Sequence, residues 1–345
     1  MTLAYILGGG ISPASESGLE LHEQYPVVQN CYRELSEHTG LTVAQILSEP
    51  LPEEPGPRRG VGAVRQAAVA LGIADLLAEL DVRPGAVGGL SLGGMVGSCL
   101  AGSIERRELA RYLMHTGEAP QVVPGAPAEG IAIAFVPTDR DPAGYHEPAV
   151  PDVHLASDFG PSVDGGARML MLSGLRAGLE RVAAEAPPGT VAVLDQYRIA
   201  LHTPLRQAAR DFLEPWIAAM PLRDPVLPLS SCLEQRTLGT AEEVRDLFRR
   251  NTTDPVHLLH VCAEMKRQGV RLGLVLGPSI PSGVVDFPFP VVHIETPEHV
   301  GQALAAIYEL GIEIAPATSE IAPATSEITP ATPEITPATP GRTAR

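Results

Sequence analysis

Two rhythms of apolar residues alternate along the chain, unbroken runs and stretches with helical spacing, and together they predict an α/β protein with a parallel sheet. Residues 3–8 (LAYILG) form an apolar run that stops at glycines, which reads as a buried strand entering a loop. Positions 17–38 have helical spacing broken by Pro26, and 61–80 (VGAVRQAAVALGIADLLAEL) predict a strong amphipathic helix. The segment VRPGAVGGLSLGG then reads as a short strand, a sharp turn and a helix that starts near Gly93.

The middle of the chain has another texture. Four strand-like segments, 131–137, 153–159, 167–174 and 190–197, enclose a helix over 175–186, which predicts an α+β subdomain inserted at about 123–198. Helices are expected at 205–220, 241–249 and 256–268, a strand and loop at 271–279, and a last strand at 291–296. From Glu313 a seven-residue unit (EIAPATS, then EITPATP) repeats to Pro340. Proline in every repeat excludes a helix or coiled coil, so 313–345 is expected as a disordered, solvated tail of polyproline character.

Composition narrows the function classes. The 345 residues carry 25 Lys+Arg against 41 Asp+Glu, a net charge of −16, which argues against general nucleic-acid binding. Hydrophobic residues are 44% and charged residues 19%, enough apolar content for a substantial core. No apolar run suggests a membrane span, and the N-terminus has no basic stretch ahead of its apolar run, so a cytoplasmic protein is expected. Cys31, Cys99, Cys232 and Cys262 lie far apart without metal spacing and read as inert thiols. His257 and His260 have helical i, i+3 spacing but no third ligand, so no metal is expected.

The sharpest chemical signal is Gly89-Leu90-Ser91-Leu92-Gly93 at the strand-to-helix turn. Glycines on both sides let the chain turn tightly and project Ser91, while the helix N-terminus offers amides to an oxyanion. Among the 10 histidines, His202 is the candidate base, because it stands where the inserted segment returns to the main layer. Asp195 lies in the chain order of a Ser–Asp–His triad, but only seven residues before His202 and inside a predicted strand, which favours a structural role.

Separate motifs in chain order resemble the malonyl-CoA:acyl-carrier-protein transacylases and the acyltransferase domains of polyketide synthases, over roughly residues 3–300. GGLSLGG is similar to that family's G-H-S-L-G nucleophile turn, and LHTPLRQAA to its H-[ST]-x-L-M-x-P-A segment. YILGGGISP stands at its glutamine-bearing loop, and NTTDP with VLGPS at its N-P-V and V-G-P-G segments. The resemblance implies an α/β-hydrolase-like large domain (1–122 and 199–312) with an inserted ferredoxin-like subdomain (123–198). It implies Ser91 as nucleophile, His202 as general base and acid, the backbone carbonyl of Asn251 as the group orienting the imidazole, and the amides of Gly9 and Leu92 as oxyanion hole. It also implies acyl-carrier protein or coenzyme A thioesters as reactants and no bound cofactor; with the charge and hydropathy above, no nucleic-acid or membrane partner is expected, and a monomer is expected.

The departures concern the substrate. Carboxylate-transferring members carry an arginine in an R-G pair on the helix after the nucleophile, and the matching pair here is Thr116-Gly117. Arg111, five residues earlier, is turned about 140° around a helix. The tetrad before and including the histidine reads Ile199-Ala200-Leu201-His202, and Leu90 precedes the serine. Leu90, Thr116, Ile199 and Leu201 together predict a less polar pocket for an acyl group without a free carboxylate. A hydrolase that clears acyl carriers, a malonyl transferase with a relocated arginine, and a silent carrier-binding scaffold are the alternatives. Arg106-Arg107 with Arg111, Arg249-Arg250, and Lys266-Arg267 with Arg271 are the candidate carrier-docking clusters, each with a solvated helix face as the plainer reading.

Overall fold

The computed structural model describes residues 3–10, 18–120 and 125–313, and the repeat segment from Ile314 onward lies outside these described residues. The chain begins with β1 (Leu3–Leu7), α1 (Leu19–Gln24), α2 (Pro26–Thr39), α3 (Val43–Leu47) and α4 (Pro55–Glu79). It continues through β2 (Ala86–Gly89), α5 (Leu92–Leu100) and α6 (Arg106–Thr116) into β3 (Glu129–Pro137), β4 (Val153–Pro161), β5 (Ala167–Leu175), α7 (Arg176–Glu185) and β6 (Val191–Val193). The rest is α8 (Gln207–Ala219), β7 (Leu229–Ser230), β8 (Thr237–Leu238), α9 (Ala241–Arg250), β9 (Val256–His257), α10 (Leu258–Arg267), β10 (Leu272–Leu276), β11 (Val291–Ile294) and α11 (Pro297–Glu309).

The larger sheet has the order β11-β10-β1-β2-β7-β8, parallel throughout except for β8 at its edge. All five residues of β1 and of β10 are buried, as continuous apolar runs in a sheet covered on both faces should be. The long helix α4 packs against α2 and α6 with Val64, Ala68, Leu71 and Leu77 fully buried. It starts six residues earlier than its apolar periodicity, because Pro55 is tolerated in a helix's first turn. By length and composition alone α4 is apolar enough to cross a membrane, contrary to the sequence expectation, but most of that apolar stretch is buried inside the protein.

The smaller sheet has the order β6-β3-β5-β4-β9. Its first four strands are antiparallel and follow the 4-1-3-2 order of a split βαββαβ unit, with the first crossover reduced to a 3₁₀ turn at Pro142–Tyr145. Alternation along β3 sends Ala132, Ala134 and Val136 to a core shared with Leu179 and Val182 of α7, and Ile131 to the opposite face. β6 is shorter than expected because a turn over Leu194–Tyr197 peels the chain away from β3. The helix predicted over 256–268 begins instead as β9, whose Val256 and His257 pair with Ser157 and Asp158 of β4, while the His257 amide donates to the Cys232 carbonyl.

The two central strands set the geometry of the site. Leu7 of β1 pairs with Gly89 of β2, so the loops after both strands emerge side by side. A β-carbon at Gly93 would sit 2.3 Å from the Leu7 carbonyl oxygen, so only glycine lets α5 start this close to β1. Gly93→Ala is therefore expected to cost about 3 kcal/mol or more. Gly62→Ala, on α4 with open space around it, should stabilise by about 0.5–1 kcal/mol. Chemical denaturation of the two variants checks both signs.

Candidate active site

Ser91 occupies the turn between β2 and α5 with φ 56° and ψ −115°, a conformation that a non-glycine residue holds only when its surroundings enforce it. The enforcement is local: the Leu90 amide donates to the Leu7 carbonyl at 2.9 Å, and the Gly93 amide to the Leu90 carbonyl at 2.9 Å. Leu92 is the first residue of α5, so its amide belongs to the donors that a helix N-terminus leaves for an anion. Gly9 lies alongside, and a β-carbon there would be 3.6 Å from the Ser91 β-carbon. Beneath the turn the Cys232 sulfur faces the Ser91 amide, and burial pushes that thiol up to about 11. Cys99 and Cys262 are pushed up to about 12 by burial, so none of these thiols is a nucleophile at neutral pH.

His202 also has a left-handed backbone, φ 55°, and is 7% exposed. Its Nδ1 lies 2.6 Å from the backbone carbonyl oxygen of Asn251. A carbonyl only accepts, so Nδ1 carries the proton and Nε2 keeps its lone pair. Asn251 is the C-cap of α9, where the negative end of the helix dipole favours a developing imidazolium. Arg250 holds this helix end through ion pairs with Asp254 (2.8 Å), Glu234 (2.7 Å) and Asp246 (3.3 Å). Burial depresses the His202 pKa to about 4, opposed by the Asn251 carbonyl and helped by His257. A cavity of about 390 Å³ opens beside the imidazole, bounded by Glu147, His154 and Leu155 of the smaller sheet's side and by Thr253–Pro255.

Asp195 is 87% exposed on its side chain and pairs with Arg176, so it takes no part here. His257 Nδ1 accepts from the Asp158 amide at 3.2 Å, and His260 Nδ1 lies 3.2 Å from the Leu233 carbonyl oxygen. Both imidazoles thus serve backbone groups.

The remaining pocket residues divide. Leu90 is buried and its side chain lies next to Gly9. Thr116 ends α6 with its hydroxyl donating to the Leu113 carbonyl at 2.6 Å. Arg111 pairs with Glu108 at 3.5 Å, one turn back on α6, with its side chain 46% exposed. Ile199 and Leu201 are both half-buried, and Leu201 packs against Ile131 and Met171 on one face of the smaller sheet. The docking clusters are largely consumed by internal ion pairs. Arg106 binds Asp75 and Glu34, Arg249 binds Glu214 and Glu242, and Arg267 binds Glu264. Sequence reasoning missed Glu129, Ser173 and Arg206, whose side chains meet the His202 loop.

The same architecture occurs in solved structures. A malonyl-CoA:acyl carrier protein transacylase from Xanthomonas oryzae superposes with a TM-score of 0.74 at 21% identity, over 88% of this chain and 98% of that one. The Burkholderia pseudomallei acyl-carrier-protein S-malonyltransferase gives 0.76 at 18% identity over 88% and 100%. The fold is that of the malonyl-CoA:acyl-carrier-protein transacylases. Another structure with the transacylase fold is a malonyl-transacylase in complex with its type II polyketide synthase acyl-carrier protein, at 18% identity, 89% and 100% coverage and a TM-score of 0.73. Among curated proteins, 5-methyl-1-naphthoate synthase of Streptomyces sahachiroi is 26% identical over 331 residues, 90% of this chain but 18% of the synthase. The chain thus spans about a fifth of that relative's length. No family model matches the sequence.

A base with a pKa near 4 is deprotonated across the neutral range and loses its lone pair only in strong acid. Phosphonylation of Ser91 by a fluorophosphonate is therefore expected to hold its rate from pH 8 to about 5 and to fall through a midpoint near 4. Between pH 6.5 and 4 the unfolded chain takes up protons at His202 and His257 that the folded chain refuses, so stability should decline on acidification through that window. A pH series of labelling rates and melting curves measures both.

Proposed function

We propose that this chain is an acyltransferase that carries an acyl group from a phosphopantetheine thioester, on an acyl-carrier protein or coenzyme A, to the thiol of an acyl-carrier protein. The observation that carries the reading is a strained serine at a helix N-terminus, in a fold that also holds a buried histidine whose Nδ1 is fixed by a backbone carbonyl. The likeness of fold to transacylases and the curated match to a naphthoate synthase support it.

In the proposed cycle His202 Nε2 takes the Ser91 hydroxyl proton as Oγ attacks the thioester carbonyl. The amides of Gly9 and Leu92 stabilise the oxyanion, the thiol departs with the proton from His202, and an acyl-serine remains. The incoming carrier thiol reverses these steps, its proton passing to His202 and then back to Ser91. Water in place of that thiol would make the same site a hydrolase.

The proposed acyl group lacks a free carboxylate. The hydroxyl of Thr116 is committed to its own helix, Arg111 points to solvent, and Leu90 is apolar. A carboxylate left uncompensated in such a site is disfavoured by about 3–5 kcal/mol. Intact-protein mass spectrometry with two carriers, one loaded, tests the reading. An uncharged acyl group is expected on Ser91 and then on the second carrier, with none on Ser91→Ala and malonyl loading at least about 100-fold slower. Acyl release only as free acid favours the hydrolase, and efficient malonyl loading overturns the pocket assignment.

A further inference from the structure

The loop that carries His202 is gripped by the smaller sheet on one side and by α9 on the other. Glu129, the first residue of β3, is 7% exposed and uses both carboxylate oxygens on this loop. Its Oε2 accepts the Ala200 amide at 2.8 Å and its Oε1 accepts Arg206 at 2.5 Å. One carboxylate thus spans the loop from two residues before the histidine to four after it. Ser173 of β5 is fully buried, and its hydroxyl oxygen accepts the next amide, that of Leu201, at 2.7 Å. Ser173 lies opposite Ile131, two residues along β3 from Glu129, so both anchors belong to one rigid antiparallel pair.

The left-handed backbone of His202 needs such enforcement. Two consecutive amides ahead of it are fixed to the smaller sheet, and its Nδ1 is fixed to the large-sheet side through Asn251. The direction of Nε2 therefore depends on how both sides hold one loop. We propose that Glu129 is a positioning residue for His202, seconded by Ser173, and that the smaller sheet sets the orientation and the dry surroundings of the base. The assignment rests on the reading of His202 as the base.

The test reads the imidazole directly. The His202 midpoint is followed by ¹⁵N-histidine NMR titration, with His202→Gln to assign the signal. His257 on β9 faces the same imidazole, and His154, Glu147 and Asp254 stand across the cavity; these groups are unchanged in the variants. The wild-type midpoint is expected at about 4. In Glu129→Gln, which keeps size but cannot serve both Ala200 and Arg206, water reaches the ring and the midpoint is expected to rise by about one unit or more. Fluorophosphonate labelling of Ser91 should slow by about 10- to 100-fold.

Ser173→Ala should shift the midpoint the same way by less, and it carries the test if Glu129→Gln does not fold. Folded variants that titrate and label like the wild type overturn the proposal, as does a wild-type midpoint near 6.5. A wild type with a low midpoint and fast labelling but no carrier transfer sinks the acyltransferase reading while the clamp stands.

Discussion

At the centre of the molecule two backbones approach closer than any side chain allows. The end of β1 and the start of α5 meet at Gly93, where a β-carbon would be 2.3 Å from the Leu7 carbonyl oxygen. Because α5 must begin there, the link from β2 has no room for an ordinary turn, and Ser91 is driven into its strained conformation. The same approach places Gly9 against Ser91 and aligns the first amides of α5 with the space above the serine. On the proposed reading a packing constraint in the sheet becomes the chemistry of the site, since one contact both presents Ser91 and supplies donors for the charge its attack would generate.

The histidine is built by the opposite means. Ser91 stands on rigid parallel strands, whereas His202 stands on a loop between two sheets and depends on contacts with both. A backbone carbonyl fixes its tautomer without adding a negative charge, so it offsets burial only in part and the pKa stays low. A carboxylate partner would raise the basicity of the ring at the cost of burying another charge. The helix dipole at Asn251 supplies a milder stabilisation that grows as the imidazolium forms.

Local order was the legible part of the chain. The apolar run of β1, the strand–turn–helix around Ser91 and the alternation along β3 each express a period that the sequence carries within a dozen residues. β9 was not legible, because two residues contain no period and their strand state comes from Asp158 and Cys232, remote in sequence. The same holds for Glu129, which meets its partners 71 and 77 positions away. Some arginines of the candidate docking clusters have partners on other helices, as Arg106 shows with Asp75 on α4, and local sequence does not reveal these.

That consumption of arginines bears on specificity. In a chain of net charge −16, Arg106 of α6 and Arg249 of α9 tie their helices to Asp75 of α4 and Glu214 of α8, while Arg250 and Arg267 pair with carboxylates close by in sequence. Each such pair lowers the positive potential available at the surface for an acidic carrier. At the end of α6, where the proposed reading looks for a carboxylate-binding group, Thr116 donates its hydroxyl to its own helix. Without an ion pair to anchor the acyl group, discrimination on the proposed reading falls to the shape of apolar walls such as Leu90. A missing methylene in such a pocket is worth only about 1–3 kcal/mol. Selectivity for the correct acyl group then depends less on the pocket and more on which carrier presents it, so the contacts that recognise the carrier become the main determinant of what this site transfers.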